Sequence, residues 1–129
     1  MSADGRHADD RHLPQAAAID AYGKGGFRFA DMSHRGSILC LPSGIWAWPV
    51  SAPAEITEES LRRALVSRGI ELFLIGTGPS PWLMPERLRW CFRDAGIGVE
   101  VTPTGPAVRT YNILFAEGRR VGAALIAVD

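Results

Sequence analysis

The chain has 129 residues, the length of one ordinary domain, and 47% of them are hydrophobic. Its 14 Lys and Arg residues balance 14 Asp and Glu residues, so no net charge would attract nucleic acid or an anionic membrane. We therefore expect no nucleic-acid partner. No run approaches the roughly 20 apolar residues of a transmembrane helix, and the N-terminus lacks the apolar stretch of a secretory signal.

Residues 1–15 are polar and carry two histidines, His7 and His12. These histidines could bind a metal adventitiously, but the segment has too little apolar surface to pack, which favours a disordered tail over residues 1–15. We expect residues 16–129 to form a single α/β domain. The two cysteines, Cys40 and Cys91, are far apart and lack a metal-binding spacing. The sequence therefore predicts a cytoplasmic protein without a metal or cofactor.

The front half is typical of strands joined by turns. Residues 19–22 and 27–29 flank the glycine-rich segment 23–26, which predicts a β-hairpin. Residues 37–41 form a third apolar run. Residues 45–49 then alternate, and this places Trp46 and Trp48 on one face of a short strand.

The back half alternates strand, turn, helix and strand. An apolar run over residues 70–75 ends in Gly76-Thr-Gly78, and an amphipathic segment begins near Pro85. Residues 98–102 form the next apolar strand, which is followed by a second turn that contains Thr104 and Gly105. This order is typical of a βαβ unit with a parallel sheet. A further helix is expected after Thr57, which is a favourable N-cap residue.

Residues 106–116 fit two structures. The run Thr110-Tyr-Asn-Ile-Leu-Phe115 has high β-propensity, and Gly118 could turn it into a hairpin with residues 121–128. Apolar residues also recur at helical spacing, and Gly105-Pro106 suits a helix start. The residues alone lean only slightly to a helix.

Several blocks after residue 15 together resemble the small α/β family known as domain of unknown function 498. They are Tyr22, His34-Arg-Gly-Ser37, Trp46-Ala-Trp-Pro49, Gly76-Thr-Gly-Pro79, Arg109-Thr-Tyr-Asn112 and Glu117-Gly-Arg-Arg-Val121. The family includes the mitochondrial respiratory complex I assembly factor 3 and an adipogenesis-associated domain protein. The resemblance implies one three-layer domain with N-terminal β-hairpin elements and a mixed, mostly parallel central sheet, whose last strand is antiparallel. It also implies that residues 106–116 are helical.

A ligand cleft is the first functional hypothesis, because ligands of such sheets bind beyond the carboxyl ends of the strands. Both threonine-glycine turns should lie there, and backbone amides at a helix start together with a guanidinium can hold an anion. The predicted cleft or anion-binding residues are Gly76, Thr77, Gly78, Thr104, Gly105, Arg109, Thr110 and Asn112. Gly76-Thr-Gly78 lacks the third glycine of a dinucleotide fingerprint, so we do not expect a dinucleotide.

A hydrolase is disfavoured by the sequence. Asp31, Ser33 and His34 match a catalytic triad by type, but they lie within four residues of one another, whereas triads are assembled from separate elements. We predict no catalytic residues. The resemblance implies instead a non-enzymatic interaction or assembly protein, with a role in biogenesis of a complex I-like respiratory assembly and a respiratory subunit as protein partner. Its predicted interaction surface is an exposed patch of Trp46, Trp48 and Trp82; the alternative for these residues is the core.

Overall fold

The computed structural model describes residues 11–129. This part of the chain forms nine strands and three α-helices. The strands are β1 (Arg11–Leu13), β2 (Ala21–Gly23), β3 (Gly26–Phe29), β4 (Met32–Arg35), β5 (Ile38–Leu41), β6 (Gly44–Ala47), β7 (Leu72–Gly76), β8 (Gly98–Thr102) and β9 (Val121–Leu125). The helices are α1 (Arg62–Leu65), α2 (Glu86–Asp94) and α3 (Thr104–Ala116).

The central sheet has six strands in the order β1-β6-β5-β9-β7-β8. Strand β7 pairs in parallel with β8 and β9, whereas β5 pairs antiparallel with β9 and β6, and β6 pairs antiparallel with β1. The prediction of a mostly parallel sheet is therefore wrong. It extended the βαβ pattern of β7, α2 and β8 to the whole sheet, but the hairpin of β5 and β6 joins the same sheet. The last strand, β9, is parallel to β7 and antiparallel only to β5.

Two apolar clusters cover the two faces of this sheet. On one face Leu61 of the segment before α1, Ala64 and Phe92 pack with sheet residues that include Phe73 and Ile75. On the other face α3 and the small three-stranded sheet β2-β3-β4 pack against the alternate residues of the same strands, such as Leu74 and Leu125. The domain thus has three layers, because successive strand residues point to opposite faces.

The predicted front hairpin is confirmed. Strands β2 and β3 pair antiparallel with Ala21 opposite Arg28 and Gly23 opposite Gly26, and β4 extends the sheet beyond β3. Strand β1 occupies residues 11–13, where the sequence predicts the end of a disordered tail over residues 1–15, because it finds a partner at the edge of β6. The rest of that predicted tail, including His7, lies outside the described residues.

Helix α3 forms although residues 110–115 also have high β-propensity. Ala107, Val108 and Tyr111 are buried on the sheet, and Leu114 and Phe115 are partly buried beside them. Burial of this helical stripe outweighs that β-propensity. Thr57 begins the first helical segment as predicted: its Oγ1 accepts a hydrogen bond from the Ser60 amide at 3.1 Å. That segment is a 3-10 turn followed by the single α-helical turn of α1.

Candidate functional site

The two threonine-glycine turns lie against each other at the carboxyl ends of β7 and β8. The Thr104 amide donates to the Gly78 carbonyl at 2.9 Å, and the Gly78 amide donates to Thr104 Oγ1 at 2.9 Å. Thr104 Oγ1 also donates to the Ile126 carbonyl at 2.7 Å. The expectation that both turns share one edge of the sheet is therefore confirmed.

No groove separates these turns. Gly76, Thr77, Gly78 and Thr104 are all buried. A Cβ atom on Gly76 would lie 3.0 Å from Thr104 Cα and 3.0 Å from Leu125 Cδ2, which is tighter than ordinary contact. Thr77 Oγ1 donates to the Ser80 carbonyl at 2.6 Å. The predicted cleft between the turns is wrong, because the polar groups assigned to a ligand satisfy the backbone of the turns themselves.

The residues at the outer end of the predicted site lie beside an open depression, unlike the buried residues of the two turns. Gly105, Arg109 and Asn112 line an open depression of about 350 Å³ between α3 and the segment that leads into β2. Tyr22 forms part of its wall, and its hydroxyl lies 2.7 Å from the position that a Cβ on Gly105 would take. Arg109 is exposed here, whereas Thr110 is half-buried and does not line the depression.

The Thr-Tyr-Asn block of α3 holds the front of the domain. The Asn112 amide group exchanges two hydrogen bonds with the backbone of Ile19: the Ile19 amide donates to Oδ1 at 2.9 Å, and Nδ2 donates to the Ile19 carbonyl at 2.8 Å. The Tyr111 hydroxyl donates to the Ala17 carbonyl at 2.9 Å, and burial raises the pKa of Tyr111. These side chains replace a neighbouring strand for residues 17–19, so Asn112 is a structural clamp and is not a free ligand group.

The Glu-Gly-Arg block after α3 is also structural. Gly118 adopts φ +77°, a conformation that favours glycine, and this ends the helix. Arg119 Nε lies 3.1 Å from Glu71 Oε1, and this hydrogen bond lowers the pKa of the exposed Glu71 carboxyl. The pair is solvent-exposed and contributes little to stability.

The tryptophan patch is not exposed. Trp46 is 6% exposed and Trp48 is 3% exposed; both belong to the core beneath α1, and Trp82 packs partly buried against the same cluster. Trp48 Nε1 donates to the Ser60 carbonyl at 2.8 Å, and the Arg63 guanidinium lies 4.6 Å from the Trp46 ring centre. The predicted interaction surface is therefore wrong, because the side chains that alternate along β6 face the helical layer.

A larger depression, of about 520 Å³, lies on the three-stranded sheet. We call it the basic basin and define it by Lys24, Arg28 and Arg35 around a floor of Ala21, Gly23 and Gly26. Sequence reasoning missed it, because each of these cations is isolated along the chain and only the strand register brings them to one face. The available signal was the strand alternation around Arg28, whose neighbours Phe27 and Phe29 are buried.

Asp31, Ser33 and His34 do not form a triad. Ser33 and His34 are neighbours on β4, so their side chains point to opposite faces of the sheet. The Ser33 hydroxyl accepts a hydrogen bond from Arg28 Nη1 at 3.1 Å. The His34 ring lies 4.1 Å from the His12 ring, and its pKa is lowered, first by burial and then by His12.

Both cysteines have raised pKa values. Cys40 is fully buried, and burial raises the pKa of its thiol. Cys91 is half-buried, and its pKa is raised by burial and by the neighbouring Glu58 carboxylate. Within residues 11–129 no three His, Cys, Asp or Glu side chains lie close enough to hold a metal ion.

Comparison with known proteins identifies the family. Residues 19–126 match the family described as "Protein of unknown function (DUF498/DUF598)". The chain is 37% identical over 115 residues, or 88% of its length, to the mouse (Mus musculus) protein named NADH dehydrogenase [ubiquinone] 1 alpha subcomplex assembly factor 3. This chain therefore belongs to the DUF498/DUF598 family. It spans 62% of the length of that mouse relative.

Solved structures share the fold. A Bartonella henselae crystal structure, described as an outer membrane protein, is 51% identical and superposes with a TM-score of 0.87 over 92% of this chain and 100% of that one. The NMR structure of Rpa2829 from Rhodopseudomonas palustris is 50% identical, with a TM-score of 0.79 over 91% of this chain and 87% of that one. Across residues 11–129 of the present chain, every helix is too short or too polar to cross a membrane.

Proposed function

We propose that this protein acts by binding protein partners during assembly of a respiratory complex related to NADH dehydrogenase, and that it does so without catalysing a reaction. The observation that carries the proposal is the identity of 37% with assembly factor 3 across 88% of this chain. The aligned region covers the described domain apart from its margins. A binding surface that this chain shares with the relatives would therefore lie on this domain.

The hydrogen bonding of the domain supports the same proposal. The polar side chains in the motifs typical of the family, Thr77, Thr104, Tyr111 and Asn112, bond to backbone groups of their own chain. The bonds of Thr104, Tyr111 and Asn112 join segments that are far apart in the chain, and each provides a backbone group with a hydrogen-bond partner. A framework whose own polar groups bond to its backbone leaves the exposed side chains for contacts with a partner, which suits a binding protein.

The experiment is affinity purification of the protein, tagged at its N-terminus, after chemical cross-linking in its native cells. We expect enrichment of subunits of the NADH dehydrogenase, quantified against a tagged protein of similar size and charge. Subunits recovered at the same level with both baits would contradict the proposal. We expect this interaction in the cytoplasm, and fractionation of the tagged cells tests that.

A second candidate is a small-anion site at Arg109. The favouring observation is the open depression beside Arg109 and the start of α3, where the helix dipole attracts negative charge. Titration of inorganic phosphate into the protein and into Arg109→Ala decides it: saturable binding that the substitution removes supports the site, and identical weak responses exclude it. Arg87→Ala on α2, which like Arg109 is exposed, is the matched control.

A further inference from the structure

The register of the three-stranded sheet creates one cationic face. Ala21, Arg28 and Ser33 are cross-strand neighbours, and Gly26 and Arg35 form the next pair on the same face. Phe27 and Phe29 point the opposite way into the core. The face with the arginines therefore points away from the domain, toward solvent.

The cations of the basic basin lie at its two ends. Arg28 extends along one end, where its Nη1 contacts Ser33 Oγ. At the other end Arg35 Nη1 lies 3.9 Å from the position that a Cβ on Gly25 would take, in the turn that also carries Lys24. Across residues 11–129 the only ion pair is Arg119 with Glu71, so no described carboxylate oxygen lies within 4 Å of a nitrogen of these three cations.

The floor between the two ends is made of small residues. Ala21 and Gly23 carry little or no side chain, which lets another backbone approach the sheet closely, whereas the neighbouring strand β4 packs against Gly26. Gly26 cannot be replaced without distortion, because a Cβ there would overlap the His34 carbonyl. The basin is thus open along its length and carries its cations at its ends, unlike the enclosed pockets typical of small-molecule sites.

The spacing of the arginines indicates the shape of the ligand. Arg28 and Arg35 occupy diagonal positions on neighbouring strands, which are about 7 Å apart. Alternate residues of an extended peptide are also about 7 Å apart and point to the same side. Carboxylates at alternate positions of an extended segment therefore have the same spacing as the two arginine positions on the sheet, and each arginine can bind a carboxylate through two hydrogen bonds.

We propose that the basic basin binds an extended acidic segment of a protein partner, with Asp or Glu at alternate positions that pair with Arg28 and Arg35. This inference rests on the proposed function, since it assigns the partner's chemistry and the docking surface for the same assembly role. Nucleic acid fits less well: the chain carries no net charge, and three cations are fewer than the phosphate contacts that sustain its binding.

The test uses a fluorescent ten-residue peptide of alternating Glu and Ser, and a matched peptide with Gln in place of Glu. Fluorescence anisotropy at low salt should show saturable binding of the Glu peptide only. The variant R28Q/R35Q should raise the Kd at least about tenfold, since it removes two charge-assisted contacts. The variant R28K/R35K keeps the charges but cannot form the paired hydrogen bonds, so its Kd should lie between that of the wild type and that of R28Q/R35Q.

The matched control is R62Q/R68Q, which removes one exposed arginine in α1 and one just after it and should change the Kd less than about twofold. Circular dichroism of each variant verifies folding. The inference is overturned by a wild-type protein that does not bind the Glu peptide, by equal affinity for the Gln peptide, or by equal losses in the two Gln double variants. Stronger competition by citrate or by a ten-nucleotide single-stranded DNA than by unlabelled Glu peptide also overturns it.

The cross-linked purification separates this inference from the assembly proposal. If wild-type and R28Q/R35Q baits enrich the same respiratory subunits equally, the basin is not the docking surface and the assembly proposal stands. If the wild-type bait enriches no subunits, the assembly proposal fails, and the peptide titration still decides whether the basin binds acidic segments.

Discussion

Thr104 and Gly78 exchange two hydrogen bonds of 2.9 Å each, and these join the start of α3 to the turn that follows β7. The same Thr104 hydroxyl donates to Ile126 just beyond β9. One fully buried side chain therefore connects three elements at the point where the sequence suggested a ligand cleft. The turns serve the architecture, and the accessible chemistry of the described chain lies elsewhere.

Thr104→Val should destabilise the protein by about 2–6 kcal/mol. Valine keeps the shape but leaves the Gly78 amide and the Ile126 carbonyl buried without partners, at about 1–3 kcal/mol each. Urea unfolding measures the change in free energy. The control Thr110→Val alters a half-buried residue of the same helix and should cost less than about 1 kcal/mol. Equal effects of the two substitutions would show that the Thr104 hydroxyl does not connect the turns.

Asn112→Ala should release the front of the domain from α3. The Ile19 amide and carbonyl lose their partners, so we expect a loss of about 1–3 kcal/mol and faster amide hydrogen exchange around residues 17–29. Exchange in β7 should change only as global stability changes. Ile113→Ala removes a side chain that is 53% exposed and should have almost no effect. Unchanged exchange near Ile19 would contradict the clamp.

Local patterns predicted the elements better than their assembly. The turn at residues 23–26 and the apolar stripe from Ala107 to Phe115 correctly indicate a hairpin and a helix, because short-range sterics and periodicity determine both. Sheet order depends on long-range pairing: β9 inserts between β5 and β7, and no local signal in residues 121–125 shows this. The prediction therefore wrongly applied the parallel pairing around β7 to the whole sheet.

The sequence indicated which residues lie together at the edge of the sheet, but it did not predict how they are arranged. A threonine-glycine turn looks the same in sequence whether its amides meet a ligand or another turn. Only the tertiary contact between Gly76 and Thr104 distinguishes the two cases. Trp46 and Trp48 likewise alternate correctly, but alternation does not tell which face the helical layer covers. The basic basin depends on cross-strand register, which single residues do not reveal.

His34 should make stability fall as the medium becomes acidic. Its pKa is lowered from 6.5 in the folded state, so below about pH 6.5 the unfolded chain binds a proton before the folded protein does. The stability that the neutral His34 side chain contributes is fully present above pH 6.5. It is lost as the pH falls toward the pKa of His34 in the folded state. The free energy of unfolding of His34→Gln should therefore depend less on pH between 7 and 5. A slope identical to that of the wild type would contradict this.

The contact with His12 has its own measurable effect. His12 lowers the pKa of His34, so His12→Gln should move that pKa upward in an NMR titration. Because burial is the larger cause, the pKa should remain below 6.5. A His34 pKa that does not change in His12→Gln would show that the two rings do not interact in solution.

The two thiols should react in a fixed order. Cys40 is fully buried and Cys91 is half-buried, so a thiol reagent should modify Cys91 slowly in the native protein and Cys40 only on unfolding. Cys91→Ser should then leave no reactive thiol in the native state. Rapid modification of Cys40 in that variant, followed by mass spectrometry, would contradict the packing around β5.

Deletion of the gene in its native cells tests the assembly role most directly. The measured quantity is the amount of assembled NADH dehydrogenase, resolved on native gels and normalised to the transcripts of its subunits. We expect the assembled complex to decrease and free subunits or subcomplexes to accumulate, with recovery on expression of the wild-type chain. An unchanged amount of assembled complex in the deletion strain would contradict the proposed function.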